Sequence, residues 1–77
     1  MSYTFSELKS VLERNVVDIY FTSLISGEER IARCTLNPTY FSNRINQSDS
    51  DTILVYRIHD KRWEDIKLNT INKYEIA

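Results

Sequence analysis

The stretch from Ile53 to Ile76, ILVYRIHDKRWEDIKLNTINKYEI, constrains this chain more than any other. An apolar run from Ile53 to Ile58 meets a polar turn at His59-Asp60-Lys61-Arg62. A second run opens with the lone tryptophan, Trp63, and sets Ile66 and Leu68 two residues apart, the period of a half-buried strand. Asn69-Thr70 breaks the alternation, and Asn69-Thr70-Ile71 suits a single 3₁₀ turn. Ile71, Tyr74 and Ile76 then resume the apolar pattern. The order predicts a β-hairpin, a tight corner and a last short strand.

The N-terminal half supplies a helix and a second hairpin. Thr4-Phe5-Ser6-Glu7 is a capping box, with Tyr3 and Leu8 placed for a hydrophobic staple. Phe5, Leu8, Val11 and Leu12 follow helical spacing, Arg14 suits the negative end of the helix, and Asn15 suits a left-handed C-terminal cap. A helix is expected over about 5–14. Val16 to Ile25 is rich in β-branched and aromatic residues. Val17, Ile19 and Phe21 should share one face, with Asp18, Tyr20 and Thr22 on the other. Ser26-Gly27-Glu28-Glu29 reads as a turn whose glycine takes the positive φ. Arg30 to Leu36 returns, with Ala32, Cys34 and Leu36 inward and Ile31, Arg33 and Thr35 outward. Asn37-Pro38 is a second helix start, filled for one turn by Thr39, Tyr40 and Phe41. The polar segment 43–52 is expected to be the most mobile loop.

Seventy-seven residues make one domain, 1–77, burying about 60% of its unfolded surface. Short strands with one N-terminal helix favour a mainly β fold: a small, strongly bent five-stranded barrel over about 16–76. Ten basic and eleven acidic residues leave a net charge of -1, which argues against a dedicated nucleic-acid binder. The lone cysteine, Cys34, cannot form an internal disulfide. With neither a signal peptide nor an apolar run of 18 residues, the chain is expected to be soluble and cytoplasmic, without a membrane partner. The sequon at Asn46 then has no role.

Arg33-Cys34-Thr35-Leu36-Asn37-Pro38, preceded by a glycine turn and a basic residue, resembles the central signature of a family of small tailed-bacteriophage proteins described as SH3 β-barrel fold-containing. Trp63 to Ile71 is similar to that family's terminal pattern, a tryptophan followed by alternating basic and apolar residues and an Asp-Ser-Ile-like corner. This second motif is similar to Sm-like barrels as well. The resemblance covers about 16–76 and implies a phage origin and a small SH3-like barrel. It implies no catalytic residues. Ser26 replaces the family's usual aspartate before the turn glycine, Asn69 stands where an acidic residue is common, and the capped helix has no counterpart.

No catalytic constellation emerges, and an enzyme, a cofactor or a metal centre is not expected. His59 sits in a hairpin turn without convergent partners. Cys34 falls mid-strand on the core face, where cysteine behaves as a small apolar residue. Ser48-Asp49-Ser50-Asp51 lacks the third ligand, glycine and closing glutamate of a calcium loop. One glycine cannot build a phosphate-cradling loop. The expected role is docking on a host or phage protein and modulating it, with Tyr20, Tyr56, Trp63 and Arg33 as contact residues. Trp63 differs in parity from Ile66 and Leu68, so either a bulge intervenes or it lies on the outer face. The second candidate partner is nucleic acid, bound through Arg33, Arg57, Arg62 and Lys67 with aromatics interleaved. The third is a homo-oligomer built through an exposed sheet edge.

Overall fold

The computed structural model describes residues 3–42, 47 and 50–77. Segment 43–46 and residues 48 and 49, with most of the expected mobile loop, lie outside the described residues. Helix α1 spans Phe5–Arg14, followed by strands β1 (Val17–Thr22) and β2 (Glu29–Thr35). A 3₁₀ turn at Pro38–Tyr40 leads to β3 (Thr52–Arg57) and β4 (Arg62–Lys67). A second 3₁₀ turn, Leu68–Thr70, delivers β5 (Ile71–Ile76). The five strands form one antiparallel sheet in the order β4-β3-β2-β1-β5. β4 and β5 are its two edges, so the sheet is not closed.

Alternation along the strands decides what is buried. Val17, Ile19, Phe21, Ala32, Cys34, Ile53, Val55, Ile66 and Ile71 line one face of the sheet. Phe5, Leu8 and Leu12, one stripe of α1, join them in a single core, with Leu36 and Leu68 also buried. Tyr3 meets Tyr74 of β5 edge to face at 5.4 Å, tying the chain before the helix to the last strand. The expected cap is present: Thr4 Oγ1 accepts the Glu7 backbone N–H at 3.3 Å. The proline turn is capped likewise, with Asn37 Oδ1 accepting the Thr39 N–H at 3.0 Å.

The C-terminal end of α1 differs from the expectation. Asn15 is extended, at φ -141 and ψ 157, and not left-handed. β2 does the work of a cap instead. The Leu36 N–H donates to the Leu12 carbonyl at 3.0 Å, and the Asn15 side-chain amide donates back to the Val11 carbonyl at 3.1 Å. Thr35, expected to face outward, is fully buried under the same helix end. Its Oγ1 lies 3.1 Å from the Leu12 carbonyl and 2.9 Å from the Asn15 carbonyl, and it accepts the Asn37 N–H at 3.0 Å. A threonine on the polar parity is buried because its hydroxyl satisfies backbone groups that the helix leaves orphaned.

Both turns rely on a left-handed residue. Gly27 has φ 75, as expected, and Lys61 takes φ 56 in the β3–β4 turn. The first turn begins earlier than its sequence suggests. Ser23 closes it, its N–H donating to the Glu28 carbonyl at 2.9 Å and its carbonyl accepting the Gly27 N–H at 2.8 Å. Leu24 and Ile25 therefore leave the strand and enter the turn. Among the described residues no helix is long and apolar enough to cross a membrane.

Candidate functional site

The register brings the outer face of the sheet into rows. Trp63 lies across from Tyr56, and Tyr56 across from Thr35. β4 has no bulge against β3, so Trp63 takes the outer face by strict alternation from Ile66. It is half-buried, because Phe41 folds over it from the end of the proline turn. The centroids are 4.8 Å apart for Phe41 and Trp63, 5.5 Å for Phe41 and Tyr56, and 5.3 Å for Tyr56 and Trp63. These tilted and edge-on contacts are the stable aromatic geometries. The rings spend much of their surface on one another. Phe41 was not among the expected contact residues; the signal for it is its position three residues after a capped Pro38.

The next row on this face holds Arg33 and Asp18, with Glu75 across from Asp18. Arg33 grips Asp18 with two hydrogen bonds, Nε to Oδ1 at 2.9 Å and Nη2 to Oδ2 at 3.0 Å. The guanidinium holds the Asp18 carboxyl below its usual range, and the carboxylate holds Arg33 above its own. Beyond them Tyr20 is flanked by Ile31 and Lys73, whose Nζ sits 4.5 Å from the ring centroid. The neighbouring Glu75 carboxylate, by hydrogen bonding, pushes the Tyr20 hydroxyl above its usual range. Tyr20 and Arg33 thus lie in a charged, paired patch, apart from the aromatic cluster of Tyr56 and Trp63.

The remaining basic residues divide between the two faces. Arg57 has the parity of the buried Ile53 and Val55 and lies at the end of the core-facing side, across from Cys34. Two carboxylates hold it: Asp60 at 3.0 Å from Nε and Glu64 at 2.8 Å from Nη1. Arg62 shares that parity and is exposed, and Lys67 is exposed on the outer face of β4. The four basic residues do not form one track. Cys34 beneath Arg57 has no exposure, and burial pushes its thiol up to about 12. Such a thiol is a poor nucleophile at neutral pH. Among the described residues no group of three His, Cys, Asp or Glu side chains is placed to hold a metal ion.

The open seam of the sheet was not anticipated as a site. The exposed edge of β4 faces the end of β1 and the turn after it. Between them lies a cavity of about 320 Å³ whose lining includes the apolar Phe21, Leu24, Ile25 and Ile66 together with the charged Glu64, Asp65 and Lys67. Leu24 is 75% exposed and Ile25 fully exposed at its rim. In the sequence these two residues read as the end of a strand; the signal that they project is the pair of serines around them, Ser23 and Ser26. Ser23 Oγ accepts the Ile25 and Ser26 N–H groups at 3.3 and 3.4 Å and bends the chain.

The class these features define is a small antiparallel β domain with an N-terminal helix on its core face. Comparison of the chain with protein-family models, curated proteins and solved structures found no match.

Proposed function

We propose that this chain is a phage-encoded, non-enzymatic SH3-like small barrel that docks on a host or phage protein and modulates it in the host cytoplasm. The phage origin and the SH3-like class rest on the resemblance of residues 33–38 and 63–71 to the phage family. The five-stranded order with a corner 3₁₀ turn before β5 is consistent with that class. The observation that carries the function is the contrast between the two kinds of surface. Arg33 and Arg57, two of the four basic residues a nucleic-acid interface needs here, are neutralised by Asp18, Asp60 and Glu64. Large apolar side chains are meanwhile presented to solvent at Leu24, Ile25 and Ile31. A surface with apolar anchors and internally paired charges suits a protein partner better than a phosphate backbone.

A second reading has its own observation. Among the described residues, the edge strands β4 and β5 each have a partner strand on one side only, which favours a homo-oligomer joined edge to edge. Sedimentation over a wide concentration range distinguishes it from a monomeric docking module. The docking reading is tested by capture from host lysate with and without nuclease, using the wild type and a Leu24→Ser/Ile25→Ser variant. Nuclease-resistant recovery of one protein, lost in the variant, is the expected result. Recovery that disappears with nuclease would contradict it.

A further inference from the structure

We propose that this chain forms a two-fold dimer in which the β4 edge of one copy pairs antiparallel with the β4 edge of a second, Ile66 opposite Ile66. This inference rests on the edge-to-edge reading and names the edge, the register and the partner. β4 is last in the sheet order, so among the described residues one side of it has no strand beside it. The Leu68 N–H donates to the Asp51 carbonyl at 2.8 Å, which continues the β3–β4 register. Backbone groups along an antiparallel strand turn alternately to one neighbour and to the other. Those of Arg62, Glu64, Ile66 and Leu68 therefore turn to β3, and those of Trp63, Asp65 and Lys67 turn to the open side. A row of unpaired donors and acceptors is completed most directly by another backbone.

Symmetry and charge fix the register. Two identical edges related by a two-fold axis pair antiparallel with one residue opposite its own copy. Four of the six residues of β4, Arg62, Glu64, Asp65 and Lys67, are charged, and centring on any of them sets like charges face to face. Trp63 and Ile66 remain. A ladder centred on Trp63 takes its flanking bonded pairs from Lys61, which lies in the turn with φ 56. A ladder centred on Ile66 takes them from Asp65 and Lys67, both within β4 and both with outward backbone groups. It also sets Asp65 of each copy opposite Lys67 of the other, which makes two attractive cross-strand pairs. The complement that this edge requires is carried by the edge itself. Asp65 and Lys67 are exposed and form no ion pair among the described residues, so no carboxylate or ammonium of their own copy competes for them. The other edge offers less. Lys73-Tyr74-Glu75 of β5 has the same self-complementary form, but Lys73 lies 4.0 Å from Glu75 and over the Tyr20 ring. Pairing β4 with β5 of a second copy, Ile66 opposite Tyr74, would set Lys67 against Lys73 and Asp65 against Glu75. A net charge of -1 leaves little long-range repulsion between copies.

The test is sedimentation of the full chain at concentrations up to about 1 mM, the range a small, weak interface needs. The wild type should pass from monomer to dimer, with the backbone amide resonances of residues 62–67 shifting alongside. Asp65→Lys alone, or Lys67→Glu alone, makes both cross-strand pairs repulsive and should weaken the dimer at least about tenfold. Mixing the two single variants should restore a dimer with one copy of each, because opposite charges again face one another in both pairs. The double variant Asp65→Lys/Lys67→Glu should dimerise as the wild type does. Both positions are exposed, so the variants should remain folded. A wild-type chain that stays monomeric at about 1 mM would overturn this inference together with the edge-to-edge reading. A dimer that survives either single substitution, or that neither mixing nor the double substitution rescues, would overturn the β4 pairing alone. Loss of such a dimer in Lys73→Glu would place the contact on β5 and leave the edge-to-edge reading standing.

Discussion

Replacing Thr35 with valine isolates the contact that joins the helix to the sheet. The shape of the side chain is kept and its hydroxyl is lost. In the native chain that residue is fully buried; its hydroxyl accepts the Asn37 N–H and has one proton within reach of both the Asn15 and the Leu12 carbonyls, the Asn15 carbonyl being the nearer. The Leu12 carbonyl keeps a partner, because the Leu36 N–H also reaches it at 3.0 Å. The Asn15 carbonyl and the Asn37 N–H lose the partner they have at 2.9 and 3.0 Å. A buried polar group left unpaired costs about 1–3 kcal/mol. Both orphaned groups are only part-buried, so a combined loss of about 2–3 kcal/mol is expected, toward the low end for each. A domain of this size has roughly 4–12 kcal/mol in total at about 0.05–0.15 kcal/mol per residue. The melting temperature should fall by about 8–24 °C, taking about 4–8 °C per kcal/mol. Urea unfolding followed by circular dichroism measures the loss, with an unchanged slope showing that the unfolding transition is the same. Thr35→Ser is the control: it keeps the hydroxyl and should cost only about 1 kcal/mol for the missing methyl. A valine variant as stable as the wild type, or a serine variant as damaged as the valine one, would refute the hydroxyl's role.

Leu68→Ala should cost about 2–5 kcal/mol, since this buried corner side chain closes the core beside β5, and a loss below about 1 kcal/mol in urea unfolding would contradict the packing. Thr4→Ala should cost about 0.5–2 kcal/mol through loss of the helix cap, read in the same assay. Cys34 should resist alkylation at pH 8 in the folded chain and react once the chain is unfolded in urea; rapid labelling of the native state would show that the strand around it opens. The Asp18 carboxyl, held low by Arg33, should titrate at higher pH in Arg33→Ala, as followed by NMR. Because the folded value is depressed, the pair's contribution to stability is present above the ordinary aspartate range and is lost as pH falls through the folded value.

Much of the architecture is legible in the residues because local chemistry and tertiary packing agree. Thr4, Glu7 and Arg14 delimit the helix that forms, and the alternation of Val17, Ile19 and Phe21 chooses the buried face of β1. Agreement fails where a distant element supplies what local chemistry normally would. Asn15 needs no left-handed cap, because β2 brings the Leu36 N–H to the helix end. Thr35 obeys strand alternation in its parity and is buried by a helix that the strand pattern cannot foresee. The candidate site was less legible. Alternation resolves Trp63 onto the outer face, yet its cover by Phe41 depends on how a proline turn folds back over β4. Arg33 and Arg57 read as available cations because the carboxylates holding them, Asp18, Asp60 and Glu64, are chosen by strand register and turn geometry. Leu24 and Ile25 read as strand because their apolar character outweighs the serine turn that expels them.

The claim that this domain docks on protein through apolar anchors, with its basic residues internally paired, is tested most directly by titrating single-stranded and duplex oligonucleotides at low salt. With Arg33 and Arg57 already neutralised, no sub-micromolar binding is expected at about 50 mM salt, where phosphate attraction is strong. Sub-micromolar binding that weakens tenfold or more between about 50 and 200 mM salt, and that is lost in Arg62→Ala/Lys67→Ala, would contradict the account and identify a nucleic-acid-binding domain.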